Sequence, residues 1–359
     1  MEQFIGCDVH KKFSVFVAVD EKGKASKPVR VAHDREVYRT YLRSLPANSE
    51  IAVEACGFWY WIVDEMEEAG HRPHLANPLE SKKRMGQPHK HDPLDARGLG
   101  ILLRNGTLPE CWIPPKELRD KRELLRTRMA VRDLRTCVKL RIYGALNRYG
   151  MHAEGVSDLF GKAGREYVKC CIAELPEETG RMVLAQVEVI DELEAKMKAI
   201  EQRIHEQIET SQEVKLLMTI PGVGPVLGPV LWLEIGDVNR FPRPEQLASY
   251  CGLVPTVHQS GDHVRMGSVS RRVNQYLKWA FVEAATCAVK LKIYRSEHIG
   301  RLYRRLLQKR GHGRAIVAVA RHLAEASYWV LRKEQAYRSP RAASCLRPET
   351  GKRETCLAG

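Results

Sequence analysis

The first 115 residues alternate between short apolar runs typical of β-strands and longer segments with helical spacing. Two apolar runs, at 4–9 and 13–19, are followed by a polar turn, which indicates an antiparallel hairpin. Helical and strand-like segments then follow in turn, at 34–45, 50–54, 58–69, 72–78 and from 92 onward. This order predicts an α/β domain that ends near Pro114 and Pro115.

The last of these helices begins in the stretch His91–Arg97, which carries two acids. Asp is a favoured N-cap and proline is well tolerated at the first helical position, so the helix is predicted to start at Asp92. Asp95 lies three residues further on, and residues three apart share a helix face. Taken alone, the stretch is equally well explained as a capped helix in which Asp95 interacts with the helix dipole.

Two further acids lie where predicted strands end. Asp8 follows the run 4–7, and Glu54 closes the run 50–53. Clustered carboxylates repel one another unless cations neutralise them, and their hard oxygens suit Mg²⁺ or Mn²⁺. A single acid at a strand end is often only a loop cap, but four in this order predict a catalytic metal site. Its predicted residues are Asp8, Glu54, Asp92 and Asp95.

From residue 116 to about 147 the sequence has helical spacing and is rich in cations with few acids. A solvated helix face is the simpler interpretation, but the scarcity of acids favours contact with nucleic acid. Arg122 and Arg126 are among the predicted contacts. A formal net charge of +14 for the whole chain also favours a polyanionic partner, without naming one.

Between residues 181 and 210 apolar residues recur at alternating steps of three and four. They are Ile190, Leu193, Met197, Ile200 and Ile204. This spacing is typical of a coiled-coil seam. Because the segment is short, both an intramolecular helical hairpin and a dimer interface remain open.

A third region opens with two apolar helices on either side of the turn Pro221–Pro225, a helix-hairpin-helix signature. Gly222 and Gly224 would let backbone N–H groups approach a phosphate, whereas a plain helical corner is the alternative. Further along, a polar loop at 259–263 precedes a helix from Gln275. The other predicted nucleic-acid contacts of this region are Arg265, Arg271, Arg272, Asn274 and Lys278.

The ten cysteines form no Cys-x-x-Cys pair and suit neither zinc nor a disulfide framework, so we expect reduced thiols in a cytoplasmic, nucleoid-associated protein. No apolar run is long enough to span a bilayer, and no membrane partner is expected. We divide the chain into an α/β metal-binding domain, a basic helical and coiled-coil region, a mostly helical domain and a basic helical tail whose end is expected to be disordered. Their bounds are 1–115, 116–210, 211–300 and 301–359.

In combination, these motifs resemble the DEDD transposases of the insertion-sequence "one-ten" family. The resemblance rests on the segments Phe4–Asp8, Ile51–Gly57 and Asp92–Ala96, and later on Ile220–Gly224 and Gly252–Asn274. It covers roughly residues 4 to 290, in the family's order. Two departures are visible: Cys56 stands where a small hydroxyl residue is usual, and Val273 where glycine usually precedes asparagine.

The resemblance implies a RuvC-like (RNase H-like) fold for the first domain, with the four acids as its metal-dependent DEDD set. It also implies a serine nucleophile, and Ser260 of the Gln-Ser-Gly motif is the matching position. Residue chemistry alone does not select this serine, since a serine before glycine is more often a turn residue. Ser268 and Ser270 are rivals on sequence.

The family's partners are then double-stranded DNA, at element ends and target, and a structured guide RNA that pairs with both. Holding two DNA molecules at once further predicts a homo-oligomer, either a dimer or a tetramer. One rival function is a metal-only junction nuclease in which Ser260 is structural. Another is a non-catalytic nucleic-acid-binding protein in which the acids are only caps.

Overall fold

The chain divides into two compact units, Met1–Pro115 and Lys116–Gly359. The further division of residues 116–359 stays a prediction. The computed structural model describes residues 3–86, 92–152, 155–156, 158–208, 211–261, 263–269, 273–294 and 297–339.

The first unit is built on one mixed six-stranded sheet in the order β3-β2-β1-β4-β5-β6. Its strands are β1 (Gln3–Val9), β2 (Phe13–Asp20), β3 (Val29–Ala32), β4 (Glu50–Glu54), β5 (Arg72–Ala76) and β6 (Glu110–Cys111). The pairs β1–β2, β2–β3 and β5–β6 are antiparallel, whereas β1–β4 and β4–β5 are parallel. The predicted hairpin and α/β class are confirmed, and the two short edge strands β3 and β6 were not predicted.

Helices cover both faces of this sheet. They are α1 (Arg35–Ser44), α2 (Trp59–Glu68), α3 (Pro78–Met85) and α4 (Asp92–Arg104). Successive side chains of a strand point to opposite faces, so Ile5 and Cys7 pack in one buried cluster with Tyr38 of α1 and Ile62 of α2. On the opposite face Ala52 packs with residues of α4.

The contact between β1 and α4 is unusually close because glycine lines it. A Cβ atom added to Gly6 would lie 1.8 Å from the carbonyl oxygen of Ala96, and one added to Gly100 would lie 3.1 Å from the carbonyl oxygen of Phe4. Backbone therefore packs directly on backbone here, which only glycine permits. The strand that carries Asp8 and the helix that begins at Asp92 are joined through this contact.

The second unit begins with two long helices, α5 (Lys116–Arg148) and α7 (Glu177–Gln207), and α6 (Lys162–Glu174) between them in sequence. The apolar seam of α7 is covered by the chain itself. Ile190 is buried in a cluster with Ile142 and Leu146 of α5, and Ile204 in a cluster with Leu125. Within one chain the structure therefore adopts the hairpin alternative, with Leu193 and Ile200 left half-buried.

The remaining helices form a buried core, and two strands between them form a hairpin. They are α8 (Gln212–Leu217), α9 (Leu227–Ile235), α10 (Pro244–Tyr250), β7 (Pro255–Ser260), β8 (His263–Val269), α11 (Gln275–Lys290), α12 (His298–Arg310) and α13 (His312–Lys333). Leu231, Phe281 and Leu323 lie in the core, all fully buried. The mostly helical class is confirmed, but the predicted polar loop at 259–263 is wrong, because β7 and β8 pair as an antiparallel hairpin there. The predicted disordered end lies almost wholly outside the described residues.

Among the described residues, no helix is both long and apolar enough to cross a membrane.

Candidate functional site

Asp8 and Glu54 lie near the carboxyl ends of two neighbouring parallel strands. Cys7 of β1 is in register with Val53 of β4, so the acids that follow them are neighbours on the sheet. The side-chain alternation of a strand puts Asp8 on the same face as Gly6, and Glu54 on the same face as Ala52. Both acids therefore belong to the face that α4 covers.

The start of α4 brings a third acid to this edge, as the sequence predicts. The Nε2 atom of His10 lies 3.0 Å from Oδ2 of Asp8 and 3.2 Å from Oδ2 of Asp92. Each of these three side chains offers one ligand atom, and the three atoms all lie within 4.8 Å of one another. Among the described residues this is the one such group that could hold a metal ion. His10 was not predicted, although it lies only two residues after Asp8, just beyond the end of β1.

Electrostatics connect the group with Asp95. Burial raises the pKa of Asp8 above its usual range; the nearby His10 lowers it, and the carboxylates of Asp95 and then Asp92 raise it further. Because buried like charges disfavour ionisation, a cation bound here would be stabilised by each of these acids. Asp95 and Glu54 are not part of the closest group of three.

The donor set fits a divalent metal ion. The Oδ2 atom of Asp8 and the Nε2 atom of His10 are both buried, and neither makes a hydrogen bond, although they lie close together. Unsatisfied buried donors and acceptors are rare, and one common reason is a bound ion. The carboxylates of Asp8 and Asp92 would therefore hold the metal, and Asp95 lies close enough to Asp8 to act on its charge.

Cys56, one of the two departures from the family pattern, lies beside this group. Burial raises the pKa of its thiol, backbone hydrogen bonds oppose that shift, and the negative charges of Glu54 and Asp8 add to it. A thiol held in its protonated form is a poor metal ligand. Cys56 is therefore not expected to act as a metal ligand.

The Gln-Ser-Gly motif is at the tip of the β7–β8 hairpin. Ser260 is the last residue of β7 and is in register with His263, while Gly261 has φ +58° in the turn that joins the strands. The Ser260 side chain lies outside what the structure describes, so its predicted role stays a prediction. Of its rivals, Ser268 lies in β8 and is exposed, and Ser270 falls outside the described residues.

Arg122 is in the protein interior, which does not fit its predicted contact with nucleic acid. It is 5% exposed, and it donates hydrogen bonds to the main-chain oxygens of Leu233 (2.8 Å) and Glu234 (3.0 Å). Arg126 donates to both carboxylate oxygens of Glu234, at 2.9 and 3.2 Å. The prediction for Arg122 is therefore corrected: it joins α5 to α9 and cannot reach a phosphate from there.

Asn274 belongs to the same buried network. Its side chain donates to Oε2 of Glu234 at 2.9 Å, and its Oδ1 accepts from the backbone N–H of Leu277, capping α11. Its own backbone N–H donates to the carbonyl oxygen of Tyr250. The arrangement fixes the residues just outside the β7–β8 hairpin, so Asn274 is held as a structural cap.

The two glycines of the Pro-Gly-Val-Gly turn differ in their surroundings. Gly222 has φ +82°, and a Cβ there would lie 2.0 Å from the carbonyl oxygen of Ala284 in α11. Its small size is therefore explained by helix packing. At Gly224 a Cβ would meet nothing within 4 Å, so this glycine is open on that side and its phosphate contact stays a prediction.

The remaining predicted contacts are only partly described. Arg265 is exposed on β8, and Lys278 is half-buried in the first turn of α11. Arg271 and Arg272 lie outside the described residues. Arg265 is thus the predicted cation that the structure presents most openly to a phosphate backbone.

Comparison with known proteins finds two family matches. Residues 5–151 match the DEDD transposase family of IS110 elements, and residues 214–299 match a family described as "Transposase IS116/IS110/IS902 family". The first match spans the acids of the α4 face, and the second spans the Pro-Gly-Val-Gly turn, the hairpin and α11.

Individual relatives agree with these matches. A probable family 20 transposase of Pseudomonas aeruginosa is 26% identical over 85% of this chain and 90% of its own length. The transposase of insertion sequence element IS1111A from Coxiella burnetii is 25% identical, over 94% of this chain and 91% of its own. A pilin gene-inverting protein of Moraxella bovis is 32% identical over 36% of this chain and 40% of its length.

Proposed function

The chain belongs to the insertion-sequence one-ten (IS110) family of DEDD transposases, and we propose that it inserts and excises its own mobile element at specific DNA sites. The observation that carries the proposal is the convergence of Asp8, whose buried Oδ2 atom is unsatisfied, with Asp92 at the start of α4. The resemblance to a pilin gene-inverting protein supports site-specific strand exchange.

We propose a RuvC-like, RNase H-like fold for the first unit. The strand order supports this, since three antiparallel strands are followed by two that are parallel to the first. In such a domain Asp8, Glu54, Asp92 and Asp95 would hold Mg²⁺ or Mn²⁺. The metal would supply charge stabilisation for the leaving oxygen and activation of the attacking group. The close contact between β1 and α4 fixes the position of Asp8 relative to Asp92.

Ser260 is the proposed nucleophile. Its Oγ would form a bond to the DNA phosphorus while the bond from phosphorus to the 3′ oxygen breaks, and the serine proton would end on that oxygen, which leaves as a free 3′-hydroxyl. The energy of the phosphodiester is kept in the phosphoserine, so rejoining needs no nucleotide. The position of Ser260 at the tip of a hairpin supports this role, because a hairpin tip can approach the DNA backbone more closely than a residue in the middle of a sheet can.

Guidance by a bound RNA is the proposed source of site selection. Exposed cations such as Arg265 suit contact with phosphates, which binds DNA strongly but reads little sequence. Base pairing by an element-encoded RNA would supply the missing specificity. The nuclease-treated, RNA-free protein should then bind duplex DNA with little preference, and RNA from the element's non-coding end should confer it. Selective binding by the RNA-free protein would instead indicate direct readout.

A homo-oligomer is also proposed, because strand exchange needs two DNA molecules held together. Because Ile190 and Ile204 of α7 pack within the chain, we propose that the interface uses other surfaces. Sedimentation of the full chain with and without DNA measures the subunit count.

The central experiment compares Asp8→Asn with Asp34→Asn in a strand-exchange reaction. Asp34 caps α1 through Val37, and asparagine caps as well as aspartate does, so this control keeps fold and chemistry. Asp8→Asn should abolish exchange while leaving DNA binding intact, because one ligand of the metal site is lost. Equal exchange by both variants would remove the acidic cluster from the reaction. Free 5′-phosphate ends without any serine adduct would instead favour a metal-only nuclease.

A further inference from the structure

His10 stands at the spacing that a ligand of the same ion would require. Two ligand atoms on adjacent corners of an octahedron, each about 2.1 Å from the ion, are about 3.0 Å apart. The Nε2 atom of His10 lies 3.0 Å from Oδ2 of Asp8 and 3.2 Å from Oδ2 of Asp92. The nitrogen thus occupies a corner position relative to both carboxylates.

The same atoms are left unsatisfied within the protein. The Asp8 side chain is 8% exposed, and neither its Oδ2 atom nor Nε2 of His10 makes a hydrogen bond. The two atoms are within hydrogen-bond distance, so it is the angle at the ring N–H that does not suit a hydrogen bond. An ion between them would satisfy both atoms at once.

The orientation of the His10 ring is fixed by the turn between β1 and β2. The ring packs on Phe13 with centroids 4.6 Å apart, and the backbone N–H of His10 donates to the carbonyl oxygen of Phe13 at 2.9 Å. Arg30 covers the ring of Phe13, with its guanidinium carbon 3.7 Å from the centroid. The imidazole is therefore positioned toward the acids before any ion binds.

We propose that His10 is a direct ligand of the metal held by Asp8 and Asp92, and that it biases the site toward Mn²⁺ over Mg²⁺. Mg²⁺ prefers oxygen ligands, whereas imidazole nitrogen suits transition metals better. The inference rests on the proposed metal-dependent function and adds a residue that the four-acid set does not contain. The site thereby differs from one built of carboxylates alone.

The test uses Mn²⁺ bound to the full-length protein and electron spin-echo spectroscopy, which detects a coordinated imidazole nitrogen. The wild type should show ¹⁴N modulation, and labelling its histidines with ¹⁵N should replace that signal. This arm needs no substitution, so it cannot fail through misfolding. Bound Mn²⁺ without a nitrogen signal would overturn the proposal.

Substitution then assigns the nitrogen among the 13 histidines of the chain. His10→Phe keeps a ring against Phe13 and removes the donor, and it should abolish the modulation and weaken Mn²⁺ binding by about tenfold or more. Mg²⁺ affinity, measured by displacement of Mn²⁺, should fall less. His152→Phe, at an exposed histidine, is the control and should change neither.

Two outcomes separate this proposal from the wider one. If Asp8→Asn abolishes Mn²⁺ binding but the wild type shows no nitrogen signal, or His10→Phe leaves the ratio of Mn²⁺ to Mg²⁺ affinities unchanged, the role of His10 is refuted alone. If Asp8→Asn binds Mn²⁺ as the wild type does, the acidic metal site itself fails, and the role of His10 fails with it.

Discussion

Replacing Glu234 with glutamine tests whether Arg122 and Arg126 are parts of the interior or contacts for nucleic acid. The Glu234 side chain is 1% exposed and accepts hydrogen bonds from Arg126 and Asn274, and Arg122 lies 3.8 Å away with 6% exposure. Glutamine keeps the shape of the side chain but removes its charge. It also replaces one accepting oxygen by an NH₂ group that faces the N–H donors of Arg126 and Asn274. Breaking a buried ion pair from one side costs about 3–5 kcal/mol.

We expect a value near the lower end of that range, about 3 kcal/mol, for two structural reasons. The Arg126 side chain is 28% exposed, so water recovers part of its interaction. Arg122 also keeps its hydrogen bonds to two main-chain oxygens. In urea unfolding with a slope of about 2 kcal/mol per molar, the midpoint should fall by about 1.5 M.

Glu177→Gln is the matched control, since its pair with Arg181 is exposed on both sides and should contribute less than about 1 kcal/mol. If Glu234→Gln unfolds at the same urea concentration as this control, the reasoning from burial is refuted. A steep gain in DNA affinity without loss of stability would show instead that the carboxylate had been restraining two DNA-binding arginines.

Three further perturbations follow from the described contacts. Gly222→Ala should destabilise the protein by about 3 kcal/mol in urea unfolding, from left-handed strain plus overpacking against Ala284, whereas Gly224→Ala should be near neutral; equal effects would contradict the packing argument. Burial and then the neighbouring His298 lower the pKa of His322 from 6.5 to about 4. Its neutral form therefore stabilises the fold above pH 6.5. As the pH falls toward 4 this stabilisation, about 3 kcal/mol at most, is lost. His322→Gln should therefore flatten the decline in stability between those pH values, and an unchanged slope would exclude His322 as its cause. Arg265→Ala should weaken DNA binding and reduce its salt slope by about one with unchanged stability, and an unaltered slope would remove Arg265 from the interface.

Much of the first unit could be predicted because its strands are buried on both faces. The runs at β1, β2 and β4 are apolar and bounded by polar residues, which is a local signal, whereas β5 begins with Arg72 and Pro73 and has only Leu75 and Ala76 buried. The helix α3 lacks such a signal, since its middle is a run of lysine and arginine, and only its Asn77 cap and Pro78 mark a start. The two residues of β6 are too few to show any period.

The β7–β8 hairpin could not be predicted for a different reason. Its strands carry polar residues at the turn, around Ser260, and several described positions such as Gln259 and Arg265 are exposed. In β8, Val264 and Met266 do alternate with polar residues, but this run is too short to identify a strand by itself, and the polar residues at the tip favour a loop. The register of the two strands is set by backbone pairing, which the sequence does not display.

Site residues divide along the same line. The places of Asp8, Glu54 and Asp92 were predictable because each lies at the end of an element that the local sequence predicts, and the catalytic role of the acids stays a prediction. Arg122 was mispredicted because its partners, Leu233 and Glu234, lie more than a hundred residues away in the sequence. His10 did have a local signal, two residues after Asp8, but a search restricted to carboxylates passes over it.

The contact of Gly6 with Ala96 has a consequence for how the acidic site can change over time. Asp8 lies two residues beyond Gly6, and Asp92 lies one helical turn before Ala96. The contact therefore sets the distance between β1 and α4, the two elements that carry these carboxylates. A methyl group at position 6 would push the helix away and widen the gap between the acids, without altering any ligand. A residue with no functional group of its own thus sets the distance between the two carboxylates, and a substitution at Gly6 would disturb the candidate metal site as surely as loss of Asp8.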